Sequence, residues 1–558
     1  MSTKLRRGVA VAAASTLMLT LMACSPSNDT TPPASPEPTG NGETEGDPAA
    51  YEGQRTGAMD EFGVDTVFQA TEAVEFSLLY RDHPGYPVLE DWLILEALAE
   101  NQNVTFDRVD VPLAEWDDRK ALLLGAGDFP WIVPVTYPGQ ESQFVAGGAL
   151  LPVSDYLDLM PNFSDKVERW GLDDEIVGLR QDDGKFYILP GLHENLRPQY
   201  SIAVRKDIWD GLDLSLEPAT WDEFADQLRA VKEAHPEFDF PYSDRWKLDA
   251  TLNAAASNFG AAAGWGLSQG VWWDGSEFVL TGSTDEYRDL VTYFNGLVAD
   301  GLLDPESLTQ DDDPAIQKFI SGESAAIGTN DQTVMDYRNA FAEAGNTDAE
   351  VYQIRVPAGP AGDILAGSRF ESGVVLNADL ADSEYLVAVL QFVDWLYFSD
   401  NGLEFAKWGI EGTTFERAAD GTRTFIGAID QGGINPSDEP VPLNATYGFH
   451  NGEWMLAHGS TFDLGTSMMR PEVQEWQTTM ATKEMQPIAP PWPLTELEQE
   501  ESSIIQTALN DQVTQNTSRF ILGQRSLDEW DAYLGELENA GQARYLEMVN
   551  AAQQRAAG

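Results

Sequence analysis

The sequence predicts an α/β protein of more than one lobe that ends in helices, and three observations predict it. From residue 73 onward, strand-like runs alternate with amphipathic helical runs, the order that a mostly parallel, doubly wound sheet requires. About 490 residues follow residue 70, too many for one ordinary core, so two or three lobes are expected. Near the end, Leu527, Trp530, Leu534 and Leu537 recur at spacings of three and four, which marks a helical face.

The first strand is read at "AVEFSLLY", Ala73 to Tyr80. A helix follows in "VLEDWLILEALAE", with Val88, Leu89, Trp92, Leu95 and Leu98 along one face. "NVTFDRVDV" is the second strand, "LAEWDDRKALLLGAG" a helix closed by glycine, and "FPWIVPV" the third strand. "QYSIAVRKDIWDGL" is a further strand and turn. It leads to "TWDEFADQLRAVKE", where Thr220 and Glu223 have capping-box spacing. In "TDEYRDLVTYFNGLVADGLLDPE" one face gathers Tyr287, Leu290, Val291, Phe294, Leu297 and Val298. The most apolar stretch, Glu384 to Phe398, is too short to span a bilayer and contains Asp394, so it reads as a core helix. No internal repeat is visible.

The amino terminus has a different logic. Lys4, Arg6 and Arg7 precede an apolar run from Val9 to Leu21, the pattern of a secretory signal over residues 1–23. Leu21-Met22-Ala23-Cys24 resembles the lipobox of bacterial lipoproteins. That likeness implies that Cys24, the only cysteine, is acylated and becomes the mature amino terminus. Two acyl chains hold a protein on a membrane where one does not. From Ser25 to about Ala50 the chain is rich in Ser, Thr, Pro, Gly and Glu with almost nothing to bury, so residues 24–69 are read as the lipidated cysteine with a disordered tether.

The formal net charge is −59. A chain so acidic repels nucleic acid and anionic headgroups, which leaves the lipid anchor as the only membrane contact expected. No phosphate-cradling G-x-x-x-x-G-K-[ST] occurs, so the chain is not an ATPase of that type. None of the five histidines forms H-E-x-x-H: His193-Glu194 lacks its second histidine, and His450 and His458 are poorly spaced for one metal. "QDDGK", Gln181 to Lys185, reads as a tight turn. No cofactor, metal or catalytic residue is therefore expected. "GLSQG", Gly266 to Gly270, matches G-x-S-x-G, but neither flank has the strand and helix that a nucleophile elbow needs.

The ordered segments "IAVRKDIWDGL…ATWDEFADQLRAV", "VADGLLDPES…KFISGESAAIG", "WGIEGTTFE" and the closing "FILGQRSLDEWDAYLGELENAGQARYLEMVNAAQQR" resemble the family 1 extracellular solute-binding proteins of ABC importers. In particular they resemble the long lipoprotein subgroup from Gram-positive bacteria. The resemblance implies a two-lobed, periplasmic-binding-protein-like (type 2) α/β fold with a hinge between lobes and C-terminal helices. It places 70–200 and 370–450 in the first lobe, and 201–369 and 451–558 in the second. It further implies a monomer that captures a carbohydrate, an oligosaccharide in the preferred reading. The loaded protein would pass its sugar to permease subunits served by a separate ATPase.

Sixteen Trp and 17 Tyr supply rings on which the C–H faces of sugars stack, while sugar hydroxyls need fixed donors and acceptors. In open α/β sheets the ligand lies beyond the carboxyl ends of the strands. That rule nominates Arg81, Asp82, His83 and Tyr86 after the first strand and Tyr137 after the third. Asp82 and His83 serve equally well as helix-capping loop residues. Asn330 and Asp331 either bind hydroxyls or cap the next helix. Arg369 and Glu371 lie in the return crossing, near the cleft floor or as a structural ion pair. Trp265 in "AAAGWG" and Trp408 with Glu411 in "WGIEGTTFE" have small flanking residues that suit a presented ring, and the resembled family often places a ring and an acid at such loops. Tyr447 and His193 complete the candidates. Two other classes stay open, a surface-anchored glycan hydrolase and a binding protein for peptides or another non-sugar solute.

Overall fold

The computed structural model describes residues 51–454 and 460–557. The signal, Cys24, the chain up to residue 50 and His458 lie outside the described residues. Eight strands form the two principal sheets: β1 (Val74–Asp82), β2 (Val104–Pro112), β3 (Ile132–Thr136), β4 (Ile188–Leu192), β5 (Ser201–Arg205), β6 (Ala326–Thr329), β7 (Val351–Gln353) and β8 (Phe370–Leu376). The first sheet has the order β2-β1-β3-β8-β4. β1 is parallel to both neighbours, and β8 is inserted antiparallel between β3 and β4. The second sheet, β6-β5-β7, is antiparallel throughout.

Burial follows from position in the sheet. β3 and β4 are covered on both faces, and every residue of each is buried, as continuous apolar strands of α/β sheets are. β2 lies at the edge and carries exposed Thr105, Asp107 and Val109. The helix Leu386–Phe398 packs against the first lobe's core with all its residues buried. Its Asp394 carboxylate accepts hydrogen bonds from the backbone N–H groups of Asn162 and Phe163 and from Asn162 Nδ2. It thereby closes the amino terminus of the helix Pro161–Trp170, where unpaired N–H groups attract an anion.

The apolar interior falls into two large clusters, which define the lobes. One joins residues from Ala58 to Leu192 with Phe370 to Leu464. The other joins Ile202 to Val356 with Trp476 to Val549, and a smaller cluster around Phe319, Tyr337 and Phe341 covers the other face of the second sheet. The last passage between lobes therefore falls after Leu464 rather than at 450, because buried Trp454 packs on Tyr80 and Phe106 of the first lobe. The ordered body also begins earlier than the expected residue 70. Tyr51 packs on Tyr156 with ring centroids 6.3 Å apart, and fully buried Phe68 packs on Phe392 at 5.8 Å. A few apolar residues, well placed, anchor a segment whose composition reads as tether.

Local signals mostly act as their residue types dictate. Thr220 Oγ1 accepts from Glu223 N, while Glu223 reaches back to Ala219 N and starts the helix Trp221–Ala234. Gly127, with φ 71°, ends the helix Trp116–Ala126. The helix expected from Val88 instead spans Leu93–Asn101. Asp82 Oδ1 accepts from Val88 N and holds that stretch as a loop, so Leu89 is exposed and the buried face is Ile94, Ala97 and Leu98. At the end, the helices Glu496–Ile521, Trp530–Asn539 and Gln542–Ala556 complete the second lobe, with Trp530, Tyr533 and Leu537 in its core.

Candidate functional site

The first lobe brings Arg81 and Tyr137, at or just beyond the carboxyl ends of β1 and β3, toward Glu371 on β8 and His193 after β4. Tyr137 is 48% exposed. Burial raises its phenol pKa, and the nearby Glu371 carboxylate raises it further. Arg81 Nε stands 3.3 Å from Glu453 Oε1. Burial pushes the Glu453 carboxyl up to about 7 despite that cation. His193 is 4% exposed, with Nε2 4.0 Å from Glu371 Oε1. Burial and the neighbouring Arg197 and Lys407 lower its pKa to about 3, so the ring is neutral and this contact is no ion pair.

Arg197 occupies the crossing that leads to β5 and links the lobes. Its Nη2 lies 3.8 Å from Asp331 Oδ2, and Glu371 on the first lobe is close enough to favour its charge. Two cavities meet at this residue. One, of about 490 Å³, reaches Tyr200, Asn253, Trp272 and Lys483. The other, of about 480 Å³, reaches Asp331, Lys407, His450 and Met469.

The second lobe contributes rings. Trp265, 45% exposed, meets Tyr200 edge-on at 5.0 Å and Trp246 at 5.5 Å, and Tyr200 meets Trp246 at 5.5 Å. The glycines beside Trp265 explain its presentation. A Cβ on Gly264, whose φ is +54°, would stand 2.1 Å from the Asp249 carbonyl, and one on Gly266 would stand 2.1 Å from Asn253 Oδ1. The loop is clamped to the helix Asp249–Phe259 and the ring between the glycines is turned out. Trp246, Lys247 and Leu248 all have φ between 55° and 69°, a costly run for residues with a Cβ. Asp312 holds it, accepting from Trp246 N and from Arg245 Nη2, while the Arg245 guanidinium covers the Trp246 ring at 4.3 Å. Asn330 and Asp331 flank Tyr200, so rings and polar groups form one continuous path to Arg197 and Glu371.

Other nominated residues lie elsewhere. Trp408 is 1% exposed, packed on Phe425 at 4.7 Å and Phe415 at 5.7 Å, with Nε1 donating to Ser467 Oγ. It is a core residue, because its flanking Gly409 caps a helix rather than freeing a loop. The Arg369 guanidinium is consumed by Glu175 and by the Trp170 and Gly171 carbonyls. Asn330 lies beside Tyr200, but its side chain is engaged in a reciprocal capping box with Thr333. Asp82 accepts from Val88 N, and His83 accepts from Gly85 N while stacking on Tyr86 at 4.2 Å. Glu411 is exposed, 3.5 Å from Arg417 Nε. Tyr447 ends the short helix Leu443–Tyr447 and packs on the first core. Ser268 of "GLSQG" follows a short 3-10 turn, Gly264–Leu267, rather than a strand. Tyr200, Trp246, Arg197 and Lys407 were not nominated from the sequence. Only "NLRPQY", an arginine and a tyrosine around a proline just before a strand, carried a signal for two of them.

The model of bacterial extracellular solute-binding proteins matches residues 86–402. The chain belongs to that family, whose members bind solutes outside the cell and work with ABC transporter permeases. Lipoprotein LipO of Bacillus subtilis is 21% identical over 301 residues, which are 51% of this chain and 56% of that protein. The chain thus matches little more than half the length of this curated relative. Among solved structures, the alginate-binding protein AlgQ2, solved without calcium ion, superposes with a TM-score of 0.63 at 18% identity, covering 88% of this chain and 99% of that one. An HMO-binding, ABC-transporter-associated solute-binding protein from Bifidobacterium longum infantis gives 0.63 at 18% identity, covering 86% and 98%. The S. pneumoniae substrate-binding protein FusA, in complex with kestose, gives 0.57 at 18%, covering 87% and 99%. At these identities the likeness establishes the two-lobed fold, and the family is one of solute-binding proteins. No described helix is long and apolar enough to cross a membrane.

Proposed function

We propose that this chain is the lipid-anchored, extracytoplasmic solute-binding component of an ABC importer and that it holds an oligosaccharide between its lobes. The observation that carries the reading is the half-exposed trio Trp246, Trp265 and Tyr200 beside the polar run Asp331, Arg197 and Glu371. Pyranose C–H faces stack on such rings, and sugar hydroxyls bond to fixed donors and acceptors at their edge. The alginate, HMO and kestose named for the fold relatives support the same class. Trp265, Asp331, Tyr137, Arg81 and Glu371 are the nominated residues kept as ligand contacts, with Tyr200, Trp246 and Arg197 added.

The chain makes and breaks no bond in this reading. A sugar that touches both lobes only when they are close favours the closed form in proportion to that difference in affinity. The closed, loaded monomer then docks on permease subunits powered by a separate ATPase. Cys24 carries the acyl chains that keep it at the outer face of the cytoplasmic membrane.

A thermal-shift screen of the mature chain against glycans and peptides, followed by chromatography of the recovered ligand, tests the reading. Stabilisation by an oligosaccharide that is recovered intact is the expected result. Stabilisation by peptides alone, or recovery of shortened sugar, overturns it.

A further inference from the structure

Among the described residues four lysines are buried, and three have a hydrogen-bond or ion-pair partner. Lys120 donates to the Val135 carbonyl and Gln140, Lys166 stands 2.8 Å from Asp400, and Lys483 donates to Asn258, the Val356 carbonyl and Asp363. Lys407 is the exception. It is 3% exposed in the last turn of the helix Asp400–Trp408, and no hydrogen bond or ion pair engages its ammonium among the described residues. Burial, then Arg197 and Lys166, push its pKa down to about 7.

Lys407 lines the cavity of about 480 Å³ together with Arg197 and His450. Arg197 Nε and His450 Nδ1 are buried polar atoms without a partner, and so is His193 Nε2 close by. The acids of the cavity do not answer Lys407. Asp331 lies 3.8 Å from Arg197, and Asp336 is exposed on the helix Asp331–Glu343. Arg470, also in the wall, is held by Glu472 and by the Gly432 and Asp331 carbonyls. An ammonium held in a cavity wall beside a guanidinium, with no carboxylate opposite it, either gives up its proton or is stabilised in charged form by an arriving anion. It is the more conspicuous in a chain of net charge −59.

We propose that the cavity between Lys407, Arg197 and His450 receives the carboxylate of an acidic sugar, so that the bound oligosaccharide carries a hexuronate-type residue. The inference rests on the carbohydrate reading above and narrows its substrate class. Two carboxylate oxygens match one ammonium and one guanidinium edge in charge-assisted hydrogen bonds, whereas a hydroxyl leaves the charge unanswered. The surrounding acidity keeps anions that lack the sugar contacts away.

Calorimetric titration of the full mature chain with hexuronate oligosaccharides and with their carboxyl-reduced, neutral counterparts tests it. The acidic member of a pair is expected to bind at least about tenfold more tightly, the worth of one hydrogen bond to a charged group. Lys407→Met is expected to erase that preference while leaving the ligand-free melting temperature unchanged or higher, since it removes an unpaired buried charge. Arg197→Gln, a second variant, is expected to weaken the acidic member selectively. Equal binding within pairs, or preference for the neutral member, overturns the carboxylate site and leaves the carbohydrate reading standing. Selective binding of sulfated rather than uronate sugars likewise overturns the carboxylate assignment. A Lys407→Met protein that melts lower and keeps the preference assigns the lysine to the fold and overturns the inference. No binding by either member of any pair overturns the hexuronate assignment, while the glycan and peptide screen decides the carbohydrate reading separately.

Discussion

Arg197 Nη2 stands 3.8 Å from Asp331 Oδ2 where the first crossing enters the second lobe. The pair joins the crossing to the helix Asp331–Glu343, and the same arginine borders both cavities. Its side chain is largely withdrawn from solvent and its Nε has no partner. A charge so placed has a donor to spare at the point where a ligand would touch both lobes. Asp331→Asn should therefore weaken oligosaccharide binding roughly tenfold, about 1.4 kcal/mol. It should scarcely move the melting temperature, because Asp331 is partly exposed; calorimetry and thermal unfolding of the variant check the two halves of this expectation.

The ring trio and the buried ring predict opposite outcomes. Trp265→Ala and Trp246→Ala should each cost about 1–2 kcal/mol of ligand affinity, roughly 5- to 30-fold, with little change in unfolding. Unchanged affinity in both would remove the stacking role.

Trp408→Ala should instead destabilise the first lobe by about 3–5 kcal/mol, as large buried aromatic truncations do. Denaturant unfolding measures it; a loss under 1 kcal/mol would contradict the packing seen around Phe415 and Phe425.

His450 gives a pH signature. Burial, then Lys407 and Arg197, hold its folded pKa at about 3, below the ordinary 6.5. The folded state therefore binds fewer protons than the unfolded one between these values. The ring's contribution to stability is full above about 6.5 and is lost as pH falls toward 3. His450→Gln should flatten the fall in stability between pH 7.5 and 5, read by denaturant titration at both. A slope identical to that of the unaltered chain would show that the ring is not buried in its neutral form.

Cys24 predicts an anchor. Cells expressing the full chain should incorporate radiolabelled palmitate into it, and Cys24→Ser should abolish the label and release the protein from the membrane fraction. Retention of label in the variant would refute the lipobox reading.

The first three strands of the first lobe were legible because each is a short apolar run between helix and turn signals. Trp265 was legible because close backbone approach at Gly264 and Gly266 demands glycine on both sides. Trp408 has similar neighbours, but its glycine closes a helix, and only the fold shows which task a glycine performs. Trp246 carried no signal, since three consecutive left-handed residues without glycine are stabilised by Asp312, distant in sequence. Lys407 was hidden for a related reason: its significance lies in the absence of a partner among the described residues, a property of the assembled interior.

A carbohydrate held between the lobes would draw them together. Small-angle scattering of the mature chain, alone and saturated with the oligosaccharide that stabilises it, tests this most directly. The radius of gyration is expected to be smaller in the saturated sample. Saturation proven by calorimetry with an unchanged scattering profile would contradict it.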